Sequence, residues 1–147
     1  MSETELVITR VFDAPRAMVY RAFVDPDQLA QWFGPAGWSV PRDSVDIDPR
    51  PGGRQRFTMV NDEDPSRTSP VNGTFVEVIE NELLVGEEPE SFLPEFAGRP
   101  MRLRIEFYDE EGGRTRIVLR QGPYTPEWTE MSRAGWTSSF DKLDKLL

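Results

Sequence analysis

The C-terminal segment, residues 128–147, constrains the fold most, because it carries one wide apolar stripe that the chain has to bury. The stripe positions recur every three or four residues, at Trp128, Met131, Gly135, Trp136, Phe140, Leu143 and Leu147. Charged side chains such as Glu130 and Asp141 occupy the opposite face. This spacing predicts a long amphipathic helix, which Thr125 caps and Pro126 begins. Such a helix needs an equally large apolar partner.

Alternating residues earlier in the chain predict that this partner is a β-sheet. Buried-type positions alternate with charged ones along two neighbouring segments, at Met101, Leu103, Ile105 and Phe107 and then at Thr115, Ile117 and Leu119. The glycine-containing turn at residues 109–113 joins them, so they form an antiparallel hairpin with one buried face. Further strand patterns cover residues 6–12, 38–47, 54–60, 71–79 and 83–85. Pro41 makes the second of these irregular.

Two short helices are expected directly after the first strand. Asp13 is a candidate cap with Pro15 in the first turn, and Asp25 caps the next helix with Pro26 at its first position. Strands grouped together, with helices kept to one side, predict an α+β fold. We expect a curved antiparallel sheet of about six to seven strands around the long C-terminal helix. At 147 residues the chain is expected to form a single domain, residues 1–147.

The composition excludes several kinds of chemistry. The chain has no cysteine and no histidine, so it cannot form a disulfide, a thiolate metal site or a histidine-dependent catalytic triad. Its formal net charge of −9 opposes nucleic-acid binding. We therefore expect no catalytic side chains, no metal and no cofactor. The acidic N-terminus lacks the pattern of a signal peptide, and no apolar run is long enough to span a membrane, so a cytoplasmic protein is expected.

Five short motifs, taken in order, resemble one known family. They are the sequences at residues 13–15, 25–26, 48–53, 72–75 and 135–136, which read DAP, DP, DPRPGG, NGTF and GW. Together they resemble the activator-of-Hsp90-ATPase-homologue group of the START-like, or SRPBCC, superfamily, which also contains the birch-pollen-allergen fold. The resemblance implies a helix-grip fold, in which the sheet and the closing helix often enclose an apolar cavity.

The candidate ligand-binding residues are the apolar positions that would line such a cavity. They are Trp32, Trp38, Phe57, Met59, Leu103, Ile105, Phe107, Ile117, Leu119, Met131, Gly135, Trp136 and Phe140. The alternative is a solid core in which these side chains pack against one another. Gln55 and Gln121 share the phase of the apolar positions on their strands, so they are the candidate polar anchors. Alternatively, each lies at a strand end and contacts water.

Two features have two interpretations each. Gly135 interrupts a helix, which costs about 1 kcal/mol relative to alanine. It either lets the helix approach the sheet closely or leaves room for a ligand. Residues 86–100 are more acidic and proline-rich than the family pattern, yet residues 92–96 carry Phe92, Leu93 and Phe96. They form either a lid over a pocket or a plug that covers the core.

The charged clusters are expected to be structural. The acidic groups near residues 43–48, 62–64 and 109–111 lack EF-hand spacing and are interpreted as solvated turns rather than cation sites. The arginines of the predicted hairpin are expected to pair across strands with Glu106 and Glu77 rather than to bind a partner. They are Arg102, Arg104, Arg114, Arg116 and Arg120.

These observations favour noncatalytic binding of a small hydrophobic or amphipathic molecule between the sheet and the C-terminal helix. Two alternatives come from the resemblance: an Hsp90-type chaperone cofactor, which would act in the stress response, and an aromatase/cyclase-like enzyme. The expected partners are a small hydrophobic molecule and, in the first alternative, a chaperone. The protein is expected to be a monomer or a homodimer.

Overall fold

Three α-helices form, and the caps of two of them are the predicted ones. The computed structural model describes residues 3–147, and its helices are α1 (Arg16–Val24), α2 (Pro26–Trp32) and α3 (Pro126–Leu146). The Asp25 carboxylate accepts hydrogen bonds from the backbone N–H groups of Asp27, at 2.9 Å, and Gln28, at 3.4 Å. The Thr125 hydroxyl accepts one from Trp128 N at 3.3 Å.

The expected cap at Asp13 does not form. Pro15 occupies the N-cap position of α1, and no side chain caps this helix. Because α1 begins only at Arg16, the Asp13 carboxylate lies too far upstream to reach the free N–H groups of the first turn.

The strands form one antiparallel sheet. They are β1 (Thr4–Phe12), β2 (Trp38–Ser39), β3 (Asp46–Ile47), β4 (Arg54–Asn61), β5 (Thr68–Ile79), β6 (Leu83–Glu88), β7 (Met101–Glu110) and β8 (Arg114–Tyr124). Seven strands follow one another in the hydrogen-bonded order β1-β8-β7-β6-β5-β4-β2, and β3 also pairs with β4. The sheet curls into a half-barrel against α3, so the predicted α+β architecture is confirmed.

The predicted strand over residues 38–47 is present as two fragments. A single 3-10 turn, Arg42–Ser44, follows Pro41 and separates β2 from β3. Proline lacks the N–H that a continuous ladder needs, so the segment leaves the sheet and rejoins it at β4.

The core lies between the concave face of the sheet and the three helices. Ile105 is opposite Leu119 and Phe107 is opposite Ile117 in the register of β7 and β8, and all four side chains are buried. Phe140 of α3 is at the centre of an aromatic cluster on this face. Its ring lies 5.4 to 6.4 Å from the rings of Phe12, Trp136, Trp32 and Phe23.

An ion-pair network fixes the C-terminal half of α3 to the edge strand. Arg10 of β1 donates to Asp141 at 2.8 Å and also to Asp144 on the next turn of the helix. Its guanidinium lies 5.9 Å from the centre of the Phe140 ring. The terminal helix is therefore held on the concave face by both apolar packing and charge.

Candidate ligand pocket between the sheet and the terminal helix

A pocket of about 250 Å³ lies between the N-terminal half of α3 and the concave face of the sheet. Five parts of the chain form its wall: the segment after α2, strand β4, strand β5, the end of β8, and helix α3. The lining residues are Phe33, Pro35, Met59, Val71, Gln121, Tyr124, Ser132, Gly135, Trp136 and Ser139.

Helix α3 presents three small residues and one tryptophan to this pocket. Ser132, Gly135, Trp136 and Ser139 follow one another at helical spacing and so share one face. A Cβ atom built on Gly135 would meet no atom within 4 Å apart from its chain neighbours and the adjacent backbone of the helix itself. Close approach of the helix to the sheet therefore does not explain the glycine, and the space beside it belongs to the pocket.

A hydrogen-bond network forms the polar side of the pocket. The Trp136 Nε1–H donates to Gln121 Oε1 at 2.8 Å, and the Ser132 hydroxyl donates to the same oxygen at 3.3 Å. The Tyr124 Oη lies 3.1 Å from Ser132 Oγ. Because the single hydroxyl hydrogen of Ser132 is used on Gln121, Tyr124 is the donor in this last bond.

The wall of the pocket is electrically neutral. None of its lining residues carries a formal charge near neutral pH. Burial raises the pKa of Tyr124, and the nearby charge of Glu88 adds to the increase. The phenol therefore stays protonated and serves as a hydrogen-bonding group.

The structure brings only part of the predicted site together. Met59, Gly135 and Trp136 line the pocket, together with the predicted anchor Gln121. A second group of predicted residues is buried in the core behind the pocket: Trp32, Phe57, Ile105, Phe107, Ile117, Leu119 and Phe140. Trp38 and Leu103 are half-buried and lie outside the lining.

Met131 lies apart from the pocket. Its side chain is 53% exposed. Met131 precedes the lining residue Ser132 by one position, which turns its side chain about 100° around the helix. The apolar stripe of α3 is thus wider than the surface that faces the pocket.

Several lining residues are absent from the predicted set. Ser132 and Ser139 flank Gly135 at helical spacing, and this run of small residues is the sequence signal that identifies the open face of α3. Phe33 and Tyr124 occupy the ends of α2 and β8, where the fold rather than the local pattern decides the direction of the side chain.

The side chain of Gln55, the other predicted anchor, lies against Gly73 of β5 and Gly86 of β6. A Cβ atom on Gly86 would be 2.7 Å from Gln55 Oε1, and one on Gly73 would be 3.3 Å from it. The side chain is half-buried and occupies a space that larger residues at either glycine would fill. It therefore packs against the sheet, outside the lining of the pocket.

The segment at residues 92–96 mainly covers the core. Leu93 and Phe96 are buried, whereas Phe92 is 61% exposed. The Phe92 ring makes an edge-to-face contact with Trp128 in the first turn of α3, with the ring centres 5.0 Å apart. Two of the three apolar side chains thus behave as a plug, and none of the three lines the pocket.

Most members of the acidic clusters are exposed, and some of them form ion pairs on the surface. Asp46 pairs with Arg54 and Asp48 with Arg50, both at 2.6 Å. Within residues 3–147, no group of three or more acidic side chains is placed to hold a metal ion.

The arginines of the hairpin mostly pair with acids of nearby strands. The pairs are Arg102–Glu87, Arg104–Glu106, Arg116–Glu110 and Arg120–Glu5. Arg104 and the expected partner Glu106 lie on the same strand, β7, so this pair is not the predicted cross-strand one. Glu77 makes no ion pair with any residue that the structure describes.

Comparison with known proteins identifies relatives over nearly the whole chain. The family model described as activator of Hsp90 ATPase homolog 1-like protein matches residues 13–147. A crystal structure of protein NE0264 from Nitrosomonas europaea is 26% identical, with a TM-score of 0.79, and the match covers 97% of this chain and 93% of that one. The AHSA1 protein from Silicibacter pomeroyi is 25% identical, with a TM-score of 0.78 and coverage of 97% and 96%.

A third structure, protein CV1439 from Chromobacterium violaceum, supports the fold alone. It is 24% identical, with a TM-score of 0.83, and the match covers 97% of this chain and 95% of that chain. No curated protein matches the sequence. None of the helices in residues 3–147 combines the length and the apolar character that a membrane crossing requires.

Proposed function

The chain belongs to the activator of Hsp90 ATPase homolog 1-like family, and we propose that it binds a small hydrophobic or amphipathic molecule between the sheet and α3. The observation that carries the proposal is the space beside Gly135, which two serines, a tryptophan and a glutamine surround. Ligand sites are typically apolar concavities with a few convergent polar groups, and this pocket has that composition.

The volume of the pocket suits a small molecule. A cavity of about 150 Å³ with apolar walls binds benzene. In the same proportion, about 250 Å³ accommodates about ten non-hydrogen atoms. A single aromatic ring with a short substituent has this size.

The polar groups in the pocket favour binding over catalysis. They are the amide of Gln121, the hydroxyls of Ser132 and Ser139, the indole N–H of Trp136 and the phenol of Tyr124. None of them is available as a base near neutral pH, because burial raises the pKa of the Tyr124 phenol and so keeps it protonated, and the other groups do not titrate there. They orient a bound molecule by hydrogen bonding.

Two further functions remain proposals. An aromatase/cyclase-like enzyme needs a tyrosine or an arginine in the pocket, and Tyr124 meets that condition. Conversion of a poly-ketone chain by the wild type, with loss of this activity in Tyr124→Phe, would support an enzymatic function.

A cytoplasmic chaperone cofactor is suggested by the family description, and stimulation of an Hsp90 ATPase by the purified protein would support that function.

The binding proposal is tested by native mass spectrometry followed by a thermal-shift screen of apolar compounds. A ligand present at about one hundred times its Kd stabilises the protein by about 2.7 kcal/mol, which is a readily measured shift. Gly135→Leu places a side chain in the open space and should abolish binding without loss of folding. Ala134→Leu adds the same side chain on the exposed side of α3 and is the matched control.

Retention of ligand by Ala134→Leu and its loss in Gly135→Leu would support the site. The proposal is contradicted if no compound co-purifies with the protein or shifts its unfolding temperature, or if Gly135→Leu binds as the wild type does.

A further inference from the structure

We propose that the pocket selects a neutral ligand that carries a hydrogen-bond acceptor, such as a small aromatic ketone, ester or amide. In this proposal the amide nitrogen of Gln121 donates to that acceptor. The inference rests on the proposed function and specifies its ligand class. It follows from the orientation of one side chain, from a count of the available donors and from the charge of the wall.

The orientation of the Gln121 amide is fixed by its neighbours. The indole Nε1–H of Trp136 can only donate, so the atom 2.8 Å from it must be the amide oxygen. The hydroxyl of Ser132 donates to the same oxygen. The nitrogen, Nε2, therefore takes the other position, and among residues 3–147 it donates no hydrogen bond to the protein.

This nitrogen is accessible rather than buried and unpaired. No buried side-chain nitrogen or oxygen within residues 3–147 lacks a hydrogen-bond partner. Gln121 is half-buried and lines the pocket. Its two N–H groups are thus free to donate to a ligand or, in its absence, to water.

The other side-chain donors of the wall are already used. Trp136 and Ser132 donate to Gln121, and Tyr124 donates to Ser132. The Ser139 hydroxyl donates to the backbone oxygen of Gly135 at 3.1 Å. The pocket therefore offers one side-chain group with free N–H hydrogens, Gln121 Nε2, and a ligand with an acceptor satisfies it. A ligand without an acceptor displaces the water and leaves these hydrogens unpaired, which is unfavourable.

The wall also discriminates by charge. A carboxylate or an ammonium group would find no formal charge on the lining of the pocket to offset the part of its hydration that it loses on binding. Free fatty acids and other anions are thus disfavoured, and a carbonyl oxygen is the fitting acceptor. The rings of Phe33 and Trp136, 5.4 Å apart, supply the aromatic part of the wall.

The test uses three planar ligands of the same size: acetophenone, α-methylstyrene and benzoate. They share a phenyl ring and differ in the substituent, which is respectively a ketone, a hydrocarbon and a carboxylate. Titration calorimetry gives the Kd of each for the wild type, for Gln121→Glu and for Gln121→Met. Gln121→Glu, measured at a pH where its carboxyl is ionised, keeps the acceptor for Trp136 and Ser132 but removes the N–H donors.

Because acetophenone and α-methylstyrene differ in their transfer from water, the informative quantity is the ratio of their Kd values in each protein. Relative to the wild type, both variants should shift this ratio against acetophenone by about tenfold. Gln55→Glu makes the same chemical change on another strand of the sheet, at a residue outside the lining of the pocket. This variant should therefore leave the ratio of the two Kd values unchanged. Benzoate should bind the wild type at least about tenfold more weakly than acetophenone.

The outcomes separate this inference from the proposed function. Binding of the ketone and the hydrocarbon with a ratio that neither Gln121 variant changes overturns the inference and leaves the proposed function standing. Benzoate binding as tight as that of acetophenone overturns the requirement for a neutral ligand. If none of the three ligands binds the wild type, the inference fails together with the proposed function.

Discussion

Replacement of Gly135 by alanine is expected to stabilise the protein by about 1 kcal/mol. Glycine in a helix interior is less favourable than alanine by about this amount, since its backbone loses more conformational freedom on folding. Gly135 lies near the middle of α3, and its φ angle is not positive. A Cβ atom there meets nothing within 4 Å, so no steric strain opposes the gain. The added methyl group borders the pocket and contributes little further burial.

The measurement is equilibrium unfolding in urea, followed by circular dichroism and by tryptophan fluorescence. The midpoint should rise at an unchanged m-value, since the same surface is exposed on unfolding. For a chain of this length, about 1 kcal/mol corresponds to an increase in Tm of about 3 °C. Ala134→Gly, on the exposed side of the same turn, should lower the stability by a similar amount and calibrates the helix contribution.

One result would refute the reasoning. If Ala134→Gly loses about 1 kcal/mol while Gly135→Ala gains nothing or destabilises, the helix must be in close contact with the sheet at residue 135. The open space would then not exist in solution, and the candidate site would lose its main geometric support.

Two other predictions concern a helix cap and the response to pH. Asp25→Ala should lower the free energy of unfolding by about 1 kcal/mol, because the Asp25 carboxylate accepts two backbone hydrogen bonds at the start of α2. Asp25→Asn should retain most of this stability, since its amide oxygen can also accept them. Equal urea midpoints for the two variants would contradict this role. Burial raises the pKa of Tyr124, so the folded protein holds this proton to a higher pH than the unfolded chain does. The contribution of this proton to the free energy of unfolding should be complete below pH ~10 and should be lost as the pH rises further. Urea unfolding across this range should show a smaller loss in Tyr124→Phe than in the wild type, and identical slopes would contradict the assignment.

The fold was largely predictable because its signals are local and repeated. The period of the stripe along α3 and the alternation along β7 and β8 each specify one buried face over many residues. The capping residues Asp25 and Thr125 mark helix starts by a hydrogen bond that their own side chains accept. Asp13 has the same carboxylate side chain but lies too far from the start of α1 to cap it. The geometry of the turn before a helix decides whether such a residue caps, and the local sequence does not specify that geometry.

The pocket was predictable only in part. The periodicity of apolar residues indicates which face of a helix or strand is buried, but it does not indicate whether that face meets packed side chains or open space. Phe107 and Trp136 share the apolar phase of their elements, yet one packs in the core and the other borders open space. Ser132 and Ser139 are polar by composition, so the stripe excluded them, although their small size keeps the pocket open. The sequence signal for the site was therefore a run of small residues around Gly135 rather than a row of large apolar ones.

Helix α3 separates the task of holding the fold from the task of forming the pocket. Its C-terminal half carries Phe140 and Leu143, both fully buried, and the ion pairs to Arg10. The small residues that face the open space, Ser132, Gly135 and Ser139, lie around its middle. Because Phe140 and Leu143 in the C-terminal half supply much of the buried apolar contact of α3, a substitution beside the pocket removes little packing. We therefore expect Gly135 to tolerate substitution without loss of the architecture, which makes it a suitable position at which to test ligand binding.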